Sequence, residues 1–317
     1  MLPLSQSHLS LLESCARRYE YVFLESLTGP ASYEQQAKTQ WGSQFHLLMQ
    51  QQALNLPIEA VAAVDAEMSA SLRSLQSVAP DVFQYLLESS KTYRSKNDNA
   101  NQLSSNRLSF DRLSSDRFSQ SEHRRTLSFN GYLLTAVYDL VVIQLGPQEK
   151  KGLIFDWKTH QQPPPKAKLK QDWQTRLYPY LLCETSELSP EDISMTYWFV
   201  RAKPARGAQL DTPSDNSNSQ PSFYKFSYSL AEHDQTRRDL QALTDQLSQM
   251  RQTGQFSKVD IEKGLCDRCP FNVRCDRKPA TQLPLQSTHS PSLPLDPHQL
   301  LKTARQLTVE DIPEIPL

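Results

Sequence analysis

Apolar positions recur with a helical period through the first third of the chain and with a strand period through its middle. Residues 5–26 carry Leu9, Leu12, Ala16 and Tyr19 at the spacing of one helix face, with Ser5 or Ser7 able to cap the start. Further helical stretches are predicted at about 36–54, 58–78 and 81–91. From Thr126 the period shortens to two. Strands are predicted at 126–132, 133–144 and 152–158, with turns near Asn130-Gly131 and Gly146-Pro147. A helix at 166–186, strands at 192–201 and 222–229 around a polar loop at 203–220, and a long helix at about 230–252 complete the pattern. Strands interleaved with helices predict an α/β domain with a central mixed sheet flanked by helices.

Two stretches depart from this order. Residues 94–122 are polar and contain a five-residue repeat, in which Ser105, Phe110 and Ser115 each begin an x-[Asn/Asp]-Arg-[Leu/Phe]-Ser unit. A period of five suits neither helix nor strand, so a disordered insertion is predicted, a solvated linker whose arginines could touch phosphates. Beyond Pro279 the chain is rich in Ser and Pro. The expected organisation is one domain at 1–279, a linker at 280–295 and a short C-terminal segment at 296–317, with a helix at 297–306.

Composition narrows the classes. At 317 residues the chain can bury a full-sized core. Its net charge of −1 supplies no global field for nucleic acid, so any such attraction must be local. No apolar run approaches the roughly 20 residues of a membrane span, and the first residues lack the basic and apolar regions of a secretory signal. A cytoplasmic protein is expected, with no membrane partner. Five cysteines in that setting suit metal or redox work better than disulfides. With eight glycines and no G-x-x-x-x-G-K, a P-loop motor is excluded within this sequence.

The candidate chemistry begins at Gly152-Leu-Ile-Phe-Asp-Trp-Lys-Thr-His160. In a strand, positions two apart share a face, so Asp156 and Lys158 emerge side by side. Alone, such a triplet reads equally as a surface ion pair. Asp139, among Thr135, Val137 and Val141 on one predicted face, is an acid in β-branched surroundings that needs a partner or a metal. His46, one turn after Gly42, adds an imidazole, and a mixed N/O set suits Mn2+ or Mg2+. Cys266, Cys269 and Cys275 form a C-x2-C-x5-C cluster. Cys15, beside Arg17, Arg18 and Tyr19, is a better fourth ligand than Cys183, which lies in an apolar run. Four thiolates fit either zinc or an iron–sulfur cluster, and the isolated early ligand favours the second.

The series Gly42-x3-His46, Ala-Val-Tyr-Asp139, Phe-Asp156-Trp-Lys158-Thr and Gln174-x3-Tyr178 resembles the PD-(D/E)XK nucleases, in particular the RecB/AddB exonuclease branch. The early cysteine with the late C-x2-C-x5-C resembles the iron–sulfur staple of AddB and of related CRISPR adaptation nucleases. The likeness covers roughly 5–277 outside the 94–122 insertion. It implies a restriction-endonuclease-like core with N-terminal helices and a C-terminal cysteine cluster. His46, Asp139, Asp156 and the Trp157 carbonyl would be metal ligands and Lys158 the catalytic lysine. Gln174 and Tyr178 would line the site and contact DNA, and Cys15, Cys266, Cys269 and Cys275 would hold a 4Fe–4S cluster. Two positions depart from the family pattern: Ala16 follows the early cysteine in place of proline, and Ala136 precedes Asp139 in place of glycine.

The resemblance implies Mg2+- or Mn2+-dependent hydrolysis of DNA, single-stranded or at ends, in repair or recombination and with a helicase or repair-protein partner. Lys166, Lys168, Lys170 and Arg176 are the expected local phosphate attraction. A different class remains open: a non-catalytic DNA-binding or scaffold module that keeps the fold. A third reading is a zinc-stabilised domain without nuclease chemistry.

Overall fold

The structure is a computed structural model that describes residues 1–28, 33–58, 65–97, 117–146, 149–160, 163–201 and 221–277, without side chains at 89–97. It divides into two compact units, Met1–Lys263 and Gly264–Leu317. The expected linker at 280–295, the segment at 296–317 with its helix, the polar loop at 203–220 and the repeat up to residue 116 lie outside the described residues.

One six-stranded mixed sheet organises the first unit: β1 (Leu2–Leu4), β2 (Arg117–Phe129), β3 (Tyr132–Leu145), β4 (Lys150–Lys158), β5 (Ile193–Phe199) and β6 (Ser222–Ser227). Asn130 and Gly131 both take positive φ, 46° and 80°, the two-residue hairpin turn that matches strand twist. That turn sets the antiparallel register of β2 on β3 from Phe129↔Tyr132 out to Arg117↔Gln144. On its other edge, β3 meets β1 in parallel through 132–134 and β4 in antiparallel through 140–145. β4 and β5 run parallel, and β6 closes antiparallel on β5.

Helices cover both faces. On one side, Leu9 and Leu12 of α1 (Gln6–Ser14), Leu177 and Leu181 of α7 (Trp173–Glu184) and Leu240 and Leu247 of α8 (Leu230–Thr253) share a core with Tyr138, Ile154 and Met195. On the other, Phe45 and Leu48 of α3 (Tyr33–Ala53), Leu72 and Leu75 of α4 (Ala66–Val78) and Leu86 of α5 (Pro80–Asn97) pack with Phe155, Trp157 and Trp198. Each fully buried leucine is worth about 2 kcal/mol of transfer free energy. Every residue of β5 is buried, the mark of a strand covered on both faces. The expected mixed sheet flanked by helices is therefore the observed architecture. Among the described residues no helix is long and apolar enough to cross a membrane.

Three boundaries differ from the sequence reading. The helix expected at 5–26 breaks at Cys15, which is extended (φ −163°, ψ 106°), before the short α2 (Ala16–Tyr19) and a π-turn at Glu20–Leu24. A tertiary contact accompanies the break: the Arg17 N–H donates to Ser257 O at 3.0 Å instead of continuing α1. The helix expected at 166–186 splits at Asp172 into α6 (Lys166–Gln171) and α7, and the Thr175 hydroxyl donates to Leu169 O at 2.5 Å across the break. The insertion expected over 94–122 is narrower, because α5 reaches Asn97 and β2 begins at Arg117. Residues 117–121 are strand because β3 supplies a partner for them, which a polar composition does not reveal.

Candidate active site

The site lies where β3 and β4 separate. Their pairing stops at Leu140↔Phe155, while β4 continues alongside β5 through Asp156↔Tyr197, Trp157↔Trp198 and Lys158↔Phe199. The β3 edge between the stretches paired by β1 and β4 is left open, and Asp139 sits at its end. Its Oδ2 accepts the Trp157 N–H at 2.7 Å, taking the place of the missing strand partner.

Asp139 also marks a change of face. Tyr132, Leu134, Ala136 and Tyr138 belong to the core beneath α7, and so do Val141 and Ile143, whereas Leu140 and Val142 join the opposite core. The single face expected from Thr135 to Val141 is thus interrupted. On β2 the interruption falls at Glu122, whose φ is 48° and which is the residue skipped between Ser121↔Leu140 and His123↔Tyr138. The left-handed backbone rotates β2, and its partner strand changes face with it.

His46 comes from α3. Gly42, one turn earlier, faces Thr159 just past β4, and a Cβ there would lie 3.0 Å from Thr159 Oγ1. Glycine is needed for that close approach, which brings His46 Nδ1 to 3.3 Å from Asp139 Oδ1. Burial lowers the affinity of the imidazole for a proton. The hydrogen bond to Asp139 and the charges of Asp139, Asp156 and Glu122 more than reverse this and raise its pKa to about 9.

Asp156 and Lys158 do share a face. Asp156 is 3% exposed; its Oδ2 lies 2.7 Å from Lys158 Nζ as an ion pair. Gln174 of α7 bridges the two, its Nε2 donating to Asp156 Oδ1 at 2.5 Å and its Oε1 accepting from Lys158 Nζ at 2.7 Å. Burial raises the Asp156 pKa, with Lys158 opposing and Asp139 adding to the rise. Tyr178, one turn on from Gln174, is buried and forms the floor beside them. Burial pushes its phenol pKa up, and the charges of Asp156 and Asp139 add to this.

Glu122 is a site residue that the sequence reading assigned to the insertion. One ligand atom each from His46, Glu122 and Asp139 lie within 4.8 Å of one another, the only such His/Cys/Asp/Glu group among the described residues. An imidazole with two carboxylates fits a small divalent cation; Asp156 is not one of the three, but its charge acts on both His46 and Glu122. A cleft of about 550 Å³ lined by Lys38, Gly42, His46, Gln50, Glu122 and Thr159 opens onto this group. The signal for Glu122 was present in the hairpin: it stands eight residues before Asn130, and Asp139 stands eight after Gly131.

The remaining expected residues distribute differently. Lys170 and Arg176 are ion-paired with Glu232 and Asp239 of α8, so they are not unopposed phosphate contacts, while Lys168 is exposed. Cys15 belongs to the first unit, and Cys266, Cys269 and Cys275 to the second. All are half-buried. In the second unit successive turns connect the three, with Cys269 N–H donating to Cys266 O at 3.1 Å and Cys275 N–H to Phe271 O at 2.9 Å.

The fold is a mixed sheet flanked by helices with a group of acids and an imidazole where the sheet opens, and comparison with known families assigns the class. The sequence model of the PD-(D/E)XK nuclease superfamily matches residues 3–276. The chain belongs to that superfamily. No curated protein matches it. A solved structure from Eubacterium rectale, described provisionally as an exonuclease, is 11% identical over 86% of this chain and 88% of that one, with a TM-score of 0.36.

Proposed function

We propose that the protein is a Mg2+- or Mn2+-dependent deoxyribonuclease that hydrolyses DNA phosphodiester bonds, single-stranded or at ends. Its setting would be DNA repair or recombination in the cytoplasm, beside a helicase or repair-protein partner. One observation carries the reading: His46 from α3, Asp139 from β3 and the Asp156–Lys158 pair from β4 meet at the point where the sheet opens.

A divalent cation bound there would lower the pKa of a water and neutralise charge on the phosphate. His46, Asp139 and Asp156, with the Trp157 carbonyl, would hold it. Asp139 is fixed for that task by the Trp157 N–H. Lys158, positioned by Asp156 and Gln174, would orient the attacking water and donate to the oxygen on which charge develops. Gln174 and Tyr178 would form the wall against which the strand lies. Belonging to the superfamily and the intact His46/Asp139/Asp156/Lys158 set support this reading over a scaffold that only binds DNA, which would need no such set.

Cys15, Cys266, Cys269 and Cys275 would hold a 4Fe–4S cluster, with zinc as the alternative, as in the RecB/AddB branch. Metal analysis of anaerobically purified protein decides between iron and zinc. For the activity, the test is digestion of end-labelled single- and double-stranded DNA with Mg2+ or Mn2+, beside Asp156→Ala and Lys158→Ala. Cutting by the wild type alone supports the proposal. A wild type that binds DNA without cutting it overturns the proposal in favour of the scaffold.

A further inference from the structure

We propose that Glu122 is a direct ligand of the divalent cation, joining His46 and Asp139; this rests on the nuclease reading of the same site. The hairpin register sets Glu122 opposite Asp139. Its positive φ coincides with the interruption of the backbone pairing at that point. Its carboxylate then lies with Asp139 and His46 in a group whose ligand atoms are all within 4.8 Å.

Several features separate Glu122 from an ordinary surface acid. Its side chain is half-buried, and among the described residues it has no hydrogen bond or ion pair. A carboxylate held near Asp139 and Asp156 suffers their repulsion, and only His46 opposes it. A strand residue with φ in the left-handed region is ordinarily Gly, Asn or Asp, so glutamate at this position runs against local preference. Asp156, which is 3% exposed and ion-paired with Lys158, has a charge that reaches both His46 and Glu122. Two acids and an imidazole with ligand atoms this close are a donor set for a cation. Lys158 and Gln174 are already engaged with Asp156, whereas His46 and Glu122 both line the cleft through which an ion would enter.

The experiment is a Mn2+ titration followed by electron paramagnetic resonance of the free ion, on the full chain in the absence of DNA. Wild type, Glu122→Gln, Glu122→Gly and Asp139→Asn are compared, each with a thermal melt. Glu122→Gln keeps the size and removes the charge; Glu122→Gly relieves the backbone, so it keeps the fold even where the glutamine variant does not. The expected result is a loss of Mn2+ affinity of roughly tenfold or more in each folded Glu122 variant, with the Glu122→Gly melt at or above wild type. Wild-type affinity in the Glu122 variants, alongside a loss in Asp139→Asn, overturns the role of Glu122 and leaves the nuclease reading standing. Absence of Mn2+ binding by the wild type overturns both.

Discussion

The Trp157 N–H donates to Asp139 Oδ2 at 2.7 Å, so a side chain on β3 completes the hydrogen bonding of β4 where the two strands part. One carboxylate thereby does two things: Oδ2 secures the strand that carries Asp156 and Lys158, and Oδ1 faces His46. The acid is 11% exposed, and Trp157 is buried, so an unmade bond there would not be recovered from water. Asp139→Ala is expected to destabilise the protein by about 1–3 kcal/mol. Asp139→Asn, which keeps an accepting oxygen, should cost less while abolishing cation-dependent cleavage just as fully. Urea melts of the two variants check the difference; equal losses would show that the strand does not rely on that bond.

Gln174 holds the ends of the Asp156–Lys158 pair with one amide. Its removal leaves the pair intact but lets the ammonium swing, since the remaining restraint is the Asp156 contact and the Tyr197 ring 5.1 Å away. Gln174→Ala is expected to lower kcat about 10- to 100-fold, the scale of a misplacement near 1 Å, with a smaller rise in KM from the lost contact with the strand. Steady-state kinetics on a single-stranded substrate measures both. An unchanged kcat would show that Lys158 does not depend on the amide for its position.

Gly42 sets the approach of α3 to the end of β4, and the contact it would make is one side-chain atom, Thr159 Oγ1 at 3.0 Å. Gly42→Ala gains about 1 kcal/mol of helix propensity, which offsets the strain of displacing Thr159. Stability is expected to stay within about 1 kcal/mol of wild type while cleavage falls, because His46 rides on the displaced turn. Adding Thr159→Ala to the same chain removes the obstructing atom and should restore activity. Failure of the double variant to recover would place the cost elsewhere in the helix.

What the sequence made legible was local. Leu153-Ile154-Phe155 announces a buried strand, so the shared face of Asp156 and Lys158 could be read directly. Gly42-x3-His46 lies one turn apart on a helix that does form. Contacts made at long range were not readable in the same way. Nothing near Cys15 signals that α1 ends there, because Arg17 bonds to Ser257. The face change at Asp139 depends on Glu122 in the facing strand, and that residue lies in a Ser/Arg-rich stretch whose composition suggests no strand. Counting outward from Asn130-Gly131 would have paired the two acids, because a two-residue turn fixes register.

His46 also predicts how stability responds to pH without divalent cation. Its pKa, raised from 6.5 to about 9 in the folded protein, reflects burial overcome by the Asp139 hydrogen bond and the surrounding carboxylates. A folded-state pKa above the unfolded value means that the native state binds the proton more tightly. The resulting stabilisation is present in full below pH 6.5 and is lost as pH rises through about 9. His46→Gln removes it at every pH. In EDTA, the gap in urea-melt stability between wild type and His46→Gln should be widest below pH 6.5 and close on the way to pH 9. A bound cation takes the place of that proton among the carboxylates, so with Mn2+ present the wild-type curve should flatten across the same range. A gap that stays constant with pH in EDTA would mean that the imidazole is not held by Asp139 in its charged form.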